Sequence, residues 1–141
     1  MKIVKYFVEF LFILVLLIIF RITGYKIASR IGALIVAHVG PFFRSKKKII
    51  SNLKKALPDK DKKNLNSIIK KMWENYGRIL SEYIFIKDFR NSNKYLKVEG
   101  QNILDNLKKS EEPVVFISGH FNNFELMAMQ IEKTGINLGA I

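Results

Sequence analysis

Cysteine is absent from all 141 residues, so disulfides and thiolate chemistry are both excluded. The absence fits a reducing compartment. Acidic residues are scarce, 12 against 24 lysines and arginines, and the formal net charge is +12. Such a balance favours anionic partners, with nucleic acid and membrane surfaces as the two broad classes. Proline occurs three times, at Pro41, Pro58 and Pro113, each where the helical or apolar patterning breaks. Between residues 44 and 71, where the lysines concentrate, no aromatic side chain interleaves. Stacking platforms for single-stranded nucleic acid are therefore missing, no nucleic-acid motif is recognisable, and nucleic acid is not an expected partner.

What the chain has in excess is a long apolar run. Tyr6 to Phe20 is apolar apart from Glu9, and from Ile3 to Ile22 it reaches about 20 residues, enough to cross a bilayer core. No small-residue A-x-A site follows Phe20, which favours an uncleaved anchor over a signal peptide. Lys2 and Lys5 lie before the run, and Arg21, Lys26, Arg30, Arg44 and Lys46 to Lys48 lie after it. The positive-inside rule then places the remainder in the cytoplasm. Residues 1–23 are expected to form a membrane anchor helix.

Residues 24–94 read as an interfacial and basic helical region. A helix after Gly24 is expected to run to about Val39, capped by Thr23 and ended by Gly40-Pro41. Ile27, Ile31, Leu34, Ile35 and His38 share one apolar face of it, so it should lie in the interface or pack beside the anchor, with His38 as a packed or interface-facing histidine. Ile49, Ile50, Leu53 and Leu57 make the stripe of a basic helix that ends at Pro58-Asp59. Juxtamembrane lysines gain roughly 1 kcal/mol each near an anionic leaflet, so lipid headgroups are the expected partner of this run. A longer helix from about Asp61 to Ile86 should bury Leu65, Ile69, Met72, Trp73, Tyr76 and Leu80. Inside it, Gly77 is read as permitting close packing. Arg78 and Glu82, four apart, can pair on one face, or Arg78 can serve as an anion-binding group.

From residue 95 the texture changes to a β-α-β pattern, and the fold class expected is α/β. Tyr95 to Gly100 reads as a strand, Gly100 to Lys109 as a helix, and Val114 to Ile117 as a buried strand. A helix opening near Asn122 or Asn123 should run through Lys133 to Gly135, followed by a further strand from Asn137 to Ile141. One strand, one helix and the start of another strand cannot bury a parallel sheet, so residues 95–141 are expected to be the start of a larger α/β core, in an apparently truncated chain. His120 falls at the carboxyl end of its strand, the edge where open α/β sheets hold ligands. Glu125 follows five residues later on the first turn of a helix. A carboxylate there can hold one imidazole nitrogen and leave the other free as a general base. Asn122 and Asn123 can cap the helix or donate to an oxyanion.

These residues carry a resemblance. Gly119 to Glu125, G-H-F-N-N-F-E, matches the His-x4-acid signature of membrane-bound glycerolipid acyltransferases, and its glutamate form resembles the late acyltransferases of lipid A biosynthesis. Lys48 to Pro58 resembles that family's R-x-x-x-N-L…P element, Trp73 to Glu82 its W-x-N-x-G-R-x-x-x-E element, and Glu99-Gly100 its V-x-G turn. The resemblance covers essentially the whole chain but only the family's first half. It implies a bacterial inner-membrane O-acyltransferase with its catalytic part on the cytoplasmic face, needing no metal or resident cofactor. His120 would be the general base and Glu125 its orienter. Arg78, Asn122 and Asn123 would be substrate-binding. The acyl thioester of acyl carrier protein, or of coenzyme A, would be the co-substrate, and a hydroxyl of a lipid A precursor the acceptor. Another glycolipid or phospholipid acceptor, or a non-enzymatic lipid-binding membrane protein, are the alternatives.

Overall fold

The computed structural model describes residues 2–110 and 112–139, which divide into two compact units at Phe85 and Ile86. The first unit contains α1 (Lys2–Thr23), α2 (Tyr25–Phe43), α3 (Lys46–Ala56), α4 (Lys62–Glu82) and a 3-10 turn, Tyr83–Phe85. The second contains α5 (Ile86–Asn91), α6 (Gln101–Ser110) and α7 (Glu125–Lys133).

In the first unit, α1 is apolar from Tyr6 to Phe20 apart from Glu9, which pairs with Lys5, and it buries Phe20 alone. An exposed apolar stretch of this length has no aqueous rationale. Both α1 and α2 are long and apolar enough to cross a membrane, with mean hydropathies of 2.7 and 1.2 over their most apolar stretches. Gly24 separates them at φ +78°, a conformation that side chains with a Cβ rarely adopt. Thr23 does not cap α2. Its hydroxyl donates back to the carbonyls of Ile19 (2.9 Å) and Phe20 (3.2 Å), so it closes α1, and α2 starts at Gly24 without a side-chain cap.

Nor does Gly40-Pro41 end α2, which continues through Pro41 to Phe43. Gly40 lies directly beneath the Trp73 indole, where any Cβ would overlap the ring. Ala28, Ser29, Gly32, Ala33 and Gly40 are the residues α2 buries, opposed by α4, whose buried residues are Leu65, Ile69, Gly77 and Ser81. Gly32 and Gly77 approach so closely that a Cβ on either would overlap the other's carbonyl oxygen. The reading of Gly77 as a packing glycine holds. On α2, Ile27, Leu34 and His38 of the expected apolar face are exposed and Ile31 and Ile35 are half-buried, while the small residues are buried. Small residues at a contact let two backbones meet, and large apolar ones outside suit a surrounding of hydrocarbon.

Asp61 caps α4, its carboxylate accepting from the Asn64 amide at 2.7 Å. Leu65 and Ile69 are buried as expected, whereas Tyr76 and Leu80 are exposed. Glu82 accepts a 2.7 Å hydrogen bond from the Ser29 hydroxyl across the two helices. On α3, Ile49 is buried and Lys46, Lys47, Lys48, Lys54 and Lys55 are exposed.

The second unit packs Phe89 of α5 and Ile131 of α7 into its interior. Arg90 pairs with Glu132, Gln130 donates to the Gln101 amide oxygen at 2.9 Å, and the Phe89 ring meets Tyr95 edge-on. The α/β expectation is overturned here: no strand is present among the described residues. Residues 95–99, 114–117 and 137–139 are irregular or extended but have no ladder partner. A strand exists only as one member of a pair, and β-branched composition by itself does not supply one. Glu111 and the last two residues of the expected third strand, Ala140 and Ile141, lie outside the described residues.

Candidate functional site

The His-x4-Glu segment lies wholly in the second unit. Residues 112–119 run without regular structure ahead of it, and Val115 and Ile117 are 85% and 91% exposed. The chain then tightens: the Phe121 amide donates to the Gly119 carbonyl at 2.7 Å, so His120 is the central residue of a three-residue γ-turn. Gly119 makes room for this turn, since a Cβ there would come within 2.5 Å of the Phe121 ring. The Ser118 hydroxyl donates locally to the Gly119 carbonyl at 3.3 Å.

Asn122 follows at φ +50°, the one non-glycine residue with positive φ among those described. Asparagine tolerates this region better than most residues. The reversal carries the chain into α7, whose first residue is Glu125. The expected asparagine cap is not made. Phe124 occupies the N-cap position, with no side-chain cap, and the first turn is tightened by bonds from Leu126 to Asn123 (3.2 Å) and from Met127 to Phe124 (3.1 Å). At the other end Thr134 is the C-cap, and Gly135 follows at φ +83°.

His120 is exposed and Glu125 is half-buried. The imidazole packs edge-on against the Phe124 ring, with centroids 4.4 Å apart and planes at 63°. This contact is absent from the sequence reading, although an aromatic four residues after the histidine was its signal. Asn123 is buried, while Asn122 is exposed. Arg78 belongs to the first unit, on an exposed position of α4. Among the described residues, no cluster of three or more His, Cys, Asp or Glu side chains could hold a metal ion.

Beside the turn, α7, the 112–116 segment and residues 136–139 enclose a groove of about 680 Å³. Val114, Phe116, Met127, Ala128, Ile131 and Leu138 give it a largely apolar lining. Met127 and Ala128 stand two and three residues past Glu125, so one helix serves both the turn and the groove.

No curated protein and no solved structure matches the chain. A family model described as bacterial lipid A biosynthesis acyltransferase matches residues 1–141, the whole length. The chain therefore belongs to the bacterial lipid A biosynthesis acyltransferase family.

Proposed function

We propose that this chain carries the general base of a membrane-bound O-acyltransferase, which moves a fatty acyl chain from a thioester to a hydroxyl of a lipid A precursor. The observation that carries the proposal is the His120 turn leading into Glu125 at the head of α7, in a chain matched over its whole length by the family. His120 takes the proton of the acceptor hydroxyl as its oxygen attacks the thioester carbonyl. The tetrahedral adduct collapses, the carbon–sulfur bond breaks, and the imidazolium returns the proton to the departing thiolate. Glu125 orients the imidazole and stabilises its charged form. Acyl carrier protein is the proposed donor, with coenzyme A as the other thioester of the same chemistry.

The groove alongside α7 suits the hydrocarbon tail by its apolar lining. For placement, the long apolar stretch of α1 and the exposed Ile27 and Leu34 of α2 support residence in the bacterial inner membrane. The basic residues following α1 favour a cytoplasmic catalytic face and contact with an anionic leaflet. Arg78, exposed on α4, is available to an anionic group of the acceptor lipid.

The full-length gene product, assayed for transfer from acyl carrier protein to a lipid A precursor, tests this reading. His120→Ala and Glu125→Ala are each expected to cut the rate by about 10²–10⁴ while the protein stays in the membrane fraction. Full activity in either variant would overturn the assignment.

A further inference from the structure

Asn123 holds one of the most constrained polar side chains in the second unit. It is 9% exposed, and both its amide nitrogen and its amide oxygen are buried without a hydrogen-bond partner. Buried amides are nearly always satisfied, and the few that are not tend to mark functional positions. The ordinary use for an asparagine here is to cap the following helix. That use is not made, because Phe124 is the N-cap and no side chain caps α7. Asn123 is also the first residue past the left-handed Asn122, three residues after His120 and two before Glu125.

Resting on the acyl-transfer reading, we infer that the Asn123 side-chain amide is the hydrogen-bond donor to the oxyanion that forms when the acceptor hydroxyl attacks the thioester. Acyl transfer places a full negative charge on the former carbonyl oxygen, and the reaction needs an N–H or O–H donor fixed close to the base. From Ser118 to Glu125 the neutral side-chain donors are Ser118, Asn122 and Asn123. The Ser118 hydroxyl is already bonded to Gly119, and Asn122 is exposed. Asn123 alone of the three is desolvated, and a fixed dipole acts most strongly where water is excluded. No proton passes through Asn123. The hydroxyl proton goes to His120, the amide Nδ2 donates to the oxyanion, and the charge leaves with the thiolate when the adduct collapses. Asn123 is thereby a catalytic residue.

Two variants of the full-length enzyme test this, each read for kcat, KM for the acyl thioester and melting temperature. Asn123→Leu removes both polar atoms while keeping a branched side chain of four heavy atoms, and Asn123→Asp replaces the donor with an acceptor. Both are expected to lower kcat by about 10²–10³ with KM changed by less than about threefold. Asn123→Leu should melt no lower than the parent protein, since an apolar group replaces an unsatisfied one. Retention of kcat in either variant would overturn the inference. So would a melting temperature that falls in Asn123→Leu, because the amide would then have a structural partner. His120→Ala run alongside separates the two levels: an active His120→Ala sinks the acyl-transfer reading itself, whereas an inactive one beside an active Asn123→Asp sinks the oxyanion role alone.

Discussion

Gly32 of α2 and Gly77 of α4 meet backbone to backbone, each occupying the space that a methyl group on the other would need. In the interior of an isolated helix, glycine to alanine gains about 1 kcal/mol. At this crossing the atoms in the way are main-chain carbonyls, which cannot rotate aside. Gly77→Ala and Gly32→Ala are therefore expected to destabilise by about 1–3 kcal/mol, the usual cost of overpacking. Thermal unfolding in detergent measures it. A variant that melts higher than the parent would show that the two helices can part at no cost.

Asn122, at φ +50°, makes a second substitution directional. Glycine adopts that conformation freely, so Asn122→Gly should leave the fold close to that of the parent. Valine pays for it sterically, and Asn122→Val is expected to lose about 1–2 kcal/mol or to reopen the turn. Nuclear magnetic resonance shifts of residues 119–125 would report the difference. Equal behaviour of the two variants would contradict a left-handed residue at this position.

Lys46, Lys47 and Lys48 stand exposed on the first turn of α3, just beyond α2. Replacing all three with glutamine should remove about 3 kcal/mol of attraction to an anionic leaflet at low salt, at roughly 1 kcal/mol per charge. The readout is the anionic lipid retained by the protein in nanodiscs, counted by mass spectrometry. Retention should fall in the variant and fall for the parent as salt rises. Undiminished retention would assign these lysines to solvation alone.

The helices and several of their ends are legible in the amino-acid order, because caps and breaks are local. Asp61 starts α4 through its own side chain, and Gly77 announces a close approach by lacking one. On α2 periodicity finds the apolar face, where Ile27 and Leu34 are exposed, and passes over the small residues that the helix buries. Pro41 misleads for a related reason: a proline forfeits one helix bond, and packing of Gly40 under Trp73 holds the helix together past it. Arg78 and Glu82 have the spacing of a pair, yet Glu82 turns to Ser29, which is 53 residues away and invisible to any window on α4. In the site, the His120 and Glu125 spacing is plain from the letters. The orphaned amide of Asn123 is not, because burial is a property of the folded unit. The strands fail for a deeper reason, since pairing depends on a second segment and composition describes only the first.

The missing ladder also leaves the two ends of the site unequally bonded. From residue 113 to 118 no amide hydrogen bond to the backbone is made among the described residues, whereas Glu125 opens a bonded helix. Amide exchange should therefore be fast up to His120 and slow from the first full turn of α7 onward. The proposed base rides on the fast side of that boundary and its orienting carboxylate on the slow side.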